Sequence, residues 1–214
     1  YISSILEAQE VRSGKIITTF DLGKMEENLR LKSDFVLGGM TVMDNSVRIS
    51  QAGVFKKGRL VGWLDEDDIE SLKWLRNEMT KQLIPVESPV SKCKFLFELE
   101  SGSTKIGQRM EEGTMAYMGK IMEISDMNFD IYSAECIQML EGLIEAHVED
   151  DIRRIFKKAR DDFNADIFGF RKLAMHYHHE FWKRNRDRWN EDVFGNSKLD
   201  VDVEVNIRRI GMTK

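Results

Sequence analysis

Residues 134–164 read AECIQMLEGLIEAHVEDDIRRIFKKARDDFN, and this stretch decides how the chain is built. Ile137, Leu140, Ile144, Val148, Ile152, Ile155, Phe156, Ala159 and Phe163 recur every three or four residues. That spacing puts apolar side chains on one face of an α-helix. It predicts an amphipathic helix of about 30 residues, from near Ala134 to Asn164.

On the C-terminal side, His176 to Trp189 reads as another helical stretch, with Phe181, Trp182 and Trp189. The chain closes with Val201, Val203, Val205 and Ile207 alternating with Asp202, Glu204, Asn206 and Arg208, a strand with one buried and one wet face. On the N-terminal side the period is also two. Cys93, Phe95, Phe97 and Leu99 alternate with Lys94, Leu96, Glu98 and Glu100. Thr104 to Met110 and Met115 to Ile124 read as two more strands joined by a Glu111-Glu112-Gly113 turn.

Further upstream, Thr18-Thr19 before Phe20, Leu22, Met25 and Leu29 suggests a short capped helix to about Leu31. Strand is expected at Phe35–Leu37 and Met40–Met43. A hairpin runs from Val47 through Val54-Phe55, turns at Lys56-Lys57-Gly58-Arg59 and returns along Leu60 to Leu64. Asp65-Glu66-Asp67-Asp68 then supplies a helix N-cap and acids for the positive helix end. Ile69, Leu72 and Leu75 form the buried stripe, with Trp74 on its flank. The two prolines, Pro85 and Pro89, stand four apart and are read as a linker. The expected organisation is a middle α+β domain at 1–84, a Pro-containing linker at 85–90 and a C-terminal α+β domain at 91–214. The class is α+β: a small antiparallel sheet domain with helices, then antiparallel sheet covered by a long helix and further helices.

Composition narrows the function. With 32 Lys plus Arg against 37 Asp plus Glu, the net charge is −5, a poor match to general nucleic-acid binding, and no nucleic-acid partner is expected. The longest uncharged stretch is Phe35 to Met43, far short of the ~20 apolar residues a membrane helix needs. Two cysteines, Cys93 and Cys136, make neither a disulfide framework nor a zinc ribbon, and sequence leaves open whether they pair. The chain begins at Tyr1 rather than Met and is read as a piece of a longer protein.

Chemical motifs are sparse. His176-x-His178-His179 puts two histidines one helical turn apart, but a metal site wants a third ligand, and a helix face is the plainer reading. Asp166 and Glu180 lie near in sequence without a ligand spacing. Asp200, Asp202 and Glu204, like Glu98 and Glu100, read as solvated strand faces rather than acid/base pairs. Asp65–Asp68 and Glu149–Asp151 lack the calcium-loop pattern. Gly38-Gly39 and Gly58 lack the P-loop spacing, and there is no G-x-S-x-G elbow. No catalytic residue, cofactor or metal ligand is assigned. This shifts weight from an enzyme toward an interaction protein, for which the basic hairpin tip is the first candidate surface.

Two segments carry a resemblance. Ala52-Gly53-Val54-Phe55-Lys56-Lys57-Gly58-Arg59-Leu60-Val61-Gly62-Trp63-Leu64-Asp65-Glu66, with Leu72-Lys73-Trp74-Leu75, resembles the G-x-A-V-F-K-K-x-x-L-V-G-x-L hairpin and L-x-W-L helix of the Ger(x)C family. These proteins are the C subunits of bacterial spore germinant receptors. Phe168-Gly169-Phe170, Phe181-Trp182, Arg188-Trp189, Val193-Phe194 and the run from Leu199 to Gly211 are similar to the family's tryptophan-bearing helix and its V-x-V-x-V-x-V-x-I-R-R-x-G ending. The chain departs from the pattern at Gln51, Gly53 and Gly195, where the family tends to have Gly, Ala and Pro.

The resemblance implies a non-enzymatic lipoprotein, anchored by an upstream lipidated cysteine absent from this chain, on the outer face of the spore inner membrane. It implies two membrane-embedded receptor subunits as partners and a role in germination through assembly with them. Interaction is expected at Lys56, Lys57, Arg59 and Trp63. The alternative reading is a module that itself binds the germinant; a metal-binding protein is the third.

Overall fold

The computed structural model describes residues 15, 17, 22–43, 46–79, 82–88, 92, 94–106, 112–124 and 133–210. Helix α1 spans Leu22–Arg30. Lys32 takes a left-handed φ of 51°, and the Ser33 N–H reaches back to the Asn28 carbonyl at 2.8 Å. This is the Schellman ending that usually carries glycine. The Thr18-Thr19 cap lies outside the described residues.

Strands β1 (Phe35–Met43), β2 (Ser46–Lys56) and β3 (Arg59–Leu64) form an antiparallel three-stranded sheet in chain order. Helix α2, Glu66–Arg76, starts on a reciprocal capping box. The Asp65 carboxylate accepts from the Asp68 N–H at 2.9 Å, and the Asp68 carboxylate accepts from the Asp65 N–H at 3.2 Å. Asn77, with φ 56°, ends the helix. Trp74, expected on the flank, is 2% exposed and belongs to the core.

The second sheet runs β4 (Gln82–Glu87), β5 (Lys94–Ile106), β6 (Glu112–Ile124) and β7 (Asp200–Ile210). The expected linker at 85–90 therefore begins inside a strand. Pro85 stands opposite Leu96, while Ile84 and Val86 on either side are buried. Proline is tolerated there because β4 is an edge strand, where a missing N–H costs no ladder bond. Pro89 and Val90 lie outside the described residues. Two expected strands merge, since β5 is one strand of 13 residues, and Glu112 and Gly113 belong to β6 rather than to a turn.

Helix α3, Ala134–Lys157, continues into a π-turn, Lys158–Phe163, and stops at Asn164, whose φ is 47°. Together they occupy the span predicted from periodicity. The helix is also a crossover, so β7 returns parallel to β6 while the other pairings are antiparallel. α3 covers the far edge of β7 as well. Glu145 and Glu141 accept from the N–H groups of Val205 and Ile207 at 2.9 and 2.8 Å, and Arg153 donates to the Val201 carbonyl. These bonds blunt an edge that would otherwise invite another strand.

Helices α4 (Phe170–Tyr177) and α5 (His179–Asn185) follow, broken at His178, and then short turns over Arg186–Asn196. One contiguous core joins the two sheets. Ala52, Val54 and Leu64 of the hairpin meet Ile69, Leu72 and Leu75 of α2, the Leu140–Ile155 stripe of α3, Phe95 and Phe97 of β5, and Val201 and Val203 of β7. Each buried aliphatic side chain stabilises the fold by roughly 1.5–3 kcal/mol relative to exposure.

Candidate functional site

The β2–β3 hairpin closes in two residues, with Lys56 opposite Arg59. Lys57 and Gly58 have φ of 50° and 78°, the pair of positive values of a type I′ turn, whose twist matches the flanking strands. Glycine adopts this freely. A lysine does so at a cost of about 1–2 kcal/mol.

Alternation along the hairpin then separates two faces. Ala52, Val54 and Leu64 point into the core. Gly62 is on the same side, where an added Cβ would sit 2.3 Å from the Phe163 ring of the π-turn. Gly53 and Trp63 face outward. The Trp63 ring lies over Gly39 of β1 and Gly53 of β2, whose added Cβ atoms would come within 2.9 and 3.6 Å of Cζ3. Bare backbone on two strands thus lets the indole lie across the sheet while remaining 50% exposed. Leu60 and Val61 beside it are also exposed, so β3 presents a run of apolar side chains to solvent.

The three predicted basic residues diverge. Lys57 is exposed at the tip, 3.9 Å from Glu191, and Arg59 is exposed at the start of β3. Lys56 is half-buried; burial raises the Asp34 carboxyl, and the Lys56 charge is a minor influence in the opposite direction. Lys57 differs from the other two because it sits in the turn itself, not in a strand.

The acidic runs separate as well. Asp200, Asp202 and Glu204 are exposed, as expected. Asp68 is 1% exposed and tied to Lys158 and, at 3.2 Å, to Arg154, so it fastens α2 to α3. His176 rests edge-on against Tyr177, and His179 lies beside the Trp182 ring. Among the described residues, no group of three or more His, Cys, Asp or Glu is placed to hold a metal ion. Cys136 is buried, and Cys93 lies outside the described residues.

The polar centre that sequence reading missed is Asp166. Its carboxylate accepts from the N–H groups of Gly169, Phe170 and Arg171 at 3.1, 3.1 and 2.6 Å and from Trp189 Nε1 at 3.0 Å. Asp34 accepts from the Asp166 N–H at 2.9 Å and from Asn190 Nδ2 at 2.6 Å. Arg76, at the end of α2, donates twice to the Ile167 carbonyl, at 2.9 and 2.6 Å. Burial pushes the Asp166 carboxyl up, opposed by its four donors, and burial lowers Arg76. Phe156, Phe168, Phe170 and Phe194 pack beside this centre with ring centroids 5.4–6.4 Å apart. An Asp three residues before a glycine that opens a helix was the available sequence signal. The lone pairs of Asp166 are committed to structure, so this centre sets geometry rather than chemistry.

The model of the family described as "Spore germination B3/ GerAC like, C-terminal" matches residues 50–211, a span that includes the hairpin, the Asp166 centre and β7. This chain belongs to that family. The B3/GerAC-like assignment agrees with the resemblance read from the two signature segments, and both turn out to be structural. The first builds the hairpin and the α2 cap; the second builds the phenylalanine cluster and β7. Spore germination protein B3 of Bacillus subtilis (strain 168) is 21% identical over 165 residues, covering 72% of this chain and 43% of the relative. Spore germination protein YndF of the same strain is 24% identical over 172 residues, covering 77% and 43%. The chain thus spans less than half the length of these relatives. A crystal structure of the GerBC protein superposes with a TM-score of 0.72 at 18% identity, over 91% of this chain and 65% of that one. It has the same α+β fold.

Proposed function

We propose that this B3/GerAC-like chain is part of a non-enzymatic C subunit of a nutrient germinant receptor, acting by assembly with two membrane-embedded subunits. The family match over residues 50–211 carries the reading. The names of the relatives place them in spore germination, and the same process is assigned here. Among the described residues no helix is long and apolar enough to cross a membrane. On the strength of the family match, the proposed placement is the outer face of the spore inner membrane, held by a lipid on a cysteine of the whole protein; stable anchoring takes two acyl signals, which a diacylated cysteine supplies.

The outward face of the three-stranded sheet, with Trp63 at its centre and Lys57 and Arg59 at its end, is the proposed contact surface. An exposed aromatic on a rigid strand is the kind of anchor that dominates protein interfaces. Lys56 is assigned a supporting role beside Asp34.

The test is affinity capture of the tagged full-length protein from spore membranes, followed by mass spectrometry. Recovery of two polytopic membrane proteins is expected, with their yield reduced by Trp63→Ser together with Lys57→Glu and Arg59→Glu. Capture of soluble proteins alone, in detergent that preserves complexes, would overturn the subunit reading. Undiminished capture by the triple variant would move the contact surface elsewhere.

A further inference from the structure

The hairpin tip also borders a cleft that no sequence pattern marks. It is open, about 430 Å³ in volume, and lined by Leu29, Lys32, Lys57, Arg171, Arg186 and Asp187. Four cations meet one carboxylate there, in a chain whose net charge is −5. They come from the end of α1, the β2–β3 turn, the start of α4 and the turn after α5, so the cluster exists only in the folded molecule.

These cations are loosely held. Lys57 is 3.9 Å from Glu191, and Arg186 is 3.8 Å from Asp187 while stacking on Trp182 at 5.8 Å. The Arg171 guanidinium has a long contact, 3.5 Å, with the Lys32 carbonyl. Several ion pairs away from the cleft are shorter, such as Arg153 with Glu149 at 2.7 Å, Lys15 with Asp67 at 2.8 Å and Arg154 with Asp151 at 3.0 Å, although Arg76 with Glu78 is as long, at 3.8 Å. Long contacts of this kind leave the four cations of the cleft with donors to spare for a ligand.

The backbone adds an independent observation. Lys32 and Lys57 both hold left-handed φ, 51° and 50°, at a Schellman ending and a type I′ turn. Glycine or asparagine suits both positions better. Of the three lysines with left-handed φ, Lys32, Lys57 and Lys92, two line this cleft, each at a conformational cost.

We infer that this cleft binds a phosphate ester. Two guanidinium forks match the paired oxygens of a phosphate, and two ammonium groups supply compact charge around it. The volume lies in the range of small-ligand sites, leaving room for the esterified group against Leu29. The phosphate belongs either to a soluble ester or to a lipid headgroup. The inference rests on the cleft and stands independently of the receptor assignment.

The test uses the whole 214-residue chain. Calorimetric titration with sn-glycerol 3-phosphate reads the soluble source. Sedimentation with phosphatidylglycerol vesicles, against phosphatidylcholine vesicles, reads the headgroup source. Saturable binding to at least one phosphate source is expected, weakened about tenfold or more by Arg171→Gln with Arg186→Gln, as loss of charge-assisted hydrogen bonds requires. Lys32→Asn with Lys57→Asn is expected to weaken binding too, while raising Tm by about 2–4 °C, so that lost binding cannot be lost folding. Lys92→Asn is the control: Lys92 also has positive φ, 58°, but does not line the cleft, and its binding should stay unchanged. Binding to phosphatidylglycerol without the soluble ester identifies a headgroup site; binding to the soluble ester identifies a free one. Absence of both, or equal weakening by the Lys92 variant, overturns the inference.

Discussion

Asp68 and Asp166 are buried almost equally, at 1% and 4% exposure, yet the two regions around them stabilise a carboxylate by opposite means. At the α2–α3 contact, Asp68 meets full charges, Lys158 and Arg154, while also completing the helix cap. At the junction before α4, Asp166 meets three backbone N–H groups and an indole, with a second carboxylate, Asp34, accepting from its own N–H. The cations around Asp68 are long side chains that still reach water, at 29% and 44% exposure. The donors around Asp166 are three fixed backbone dipoles and the indole of a buried tryptophan, which go nowhere if it is removed. Equal burial therefore predicts unequal cost.

The largest effect should come from Asp166→Ala. Each buried donor left unsatisfied costs about 1–3 kcal/mol, so a loss of about 3–5 kcal/mol in urea unfolding is expected. Asp68→Ala should cost less, about 2 kcal/mol. Roughly half of that is the lost cap, because Lys158 and Arg154 can turn to solvent and exposed pairs contribute little. The reverse order of the two variants would break the comparison.

Asp34 sharpens it by pH. Burial raises its carboxyl, the nearby Asp166 charge pushes the same way, and the Asn190 and Asp166 donors oppose them. A folded-state value raised above the unfolded one gives stability present below the unfolded value and lost as pH rises through the folded value. At neutral pH the protein has lost that contribution. Its Oδ1 has no partner among the described residues. Asp34→Asn keeps one acceptor toward both donors and removes the charge. It should stabilise by about 1 kcal/mol at neutral pH, with the gain fading as pH falls into the acid range through the raised folded-state value, where Asp34 is protonated. An equal gain at both pH values would mean that the charge is irrelevant.

The smallest stability effect belongs to the outward sheet face. Trp63→Ser should change unfolding free energy by only about 0.5 kcal/mol, because the ring is half exposed and packs on glycine. A loss above about 2 kcal/mol would make Trp63 a structural residue rather than a contact residue.

Much of the architecture was legible in the residues. The apolar stripe of α3, the alternation of β7 and the Asp65 cap are local patterns, and local patterns are what periodicity and capping rules read. The misreadings share one cause. Pro85 reads as a breaker unless the edge position of β4 is known. Trp74 reads as a flank residue unless the helix is known to be covered from more than one side. Asp166 reads as a stray acid because its donors Gly169, Phe170 and Arg171 are near in sequence, whereas Trp189, Asp34 and Arg76 are not. Of the predicted contact residues, the turn chemistry of Lys57-Gly58 could have separated Lys57 from Lys56, the last residue of β2. Nothing local could have brought Lys57 to Arg171 and Arg186.

The sequence by itself determined the long helix, the hairpin, the closing strand, the α+β class and the family, because these depend on period, caps and contiguous motifs. Only the tertiary structure decided the parallel return of β7, which carboxylates are buried, and which cations share a cleft. Burial and electrostatics act through space at distances of a few ångströms, and in this chain those distances join residues more than a hundred positions apart.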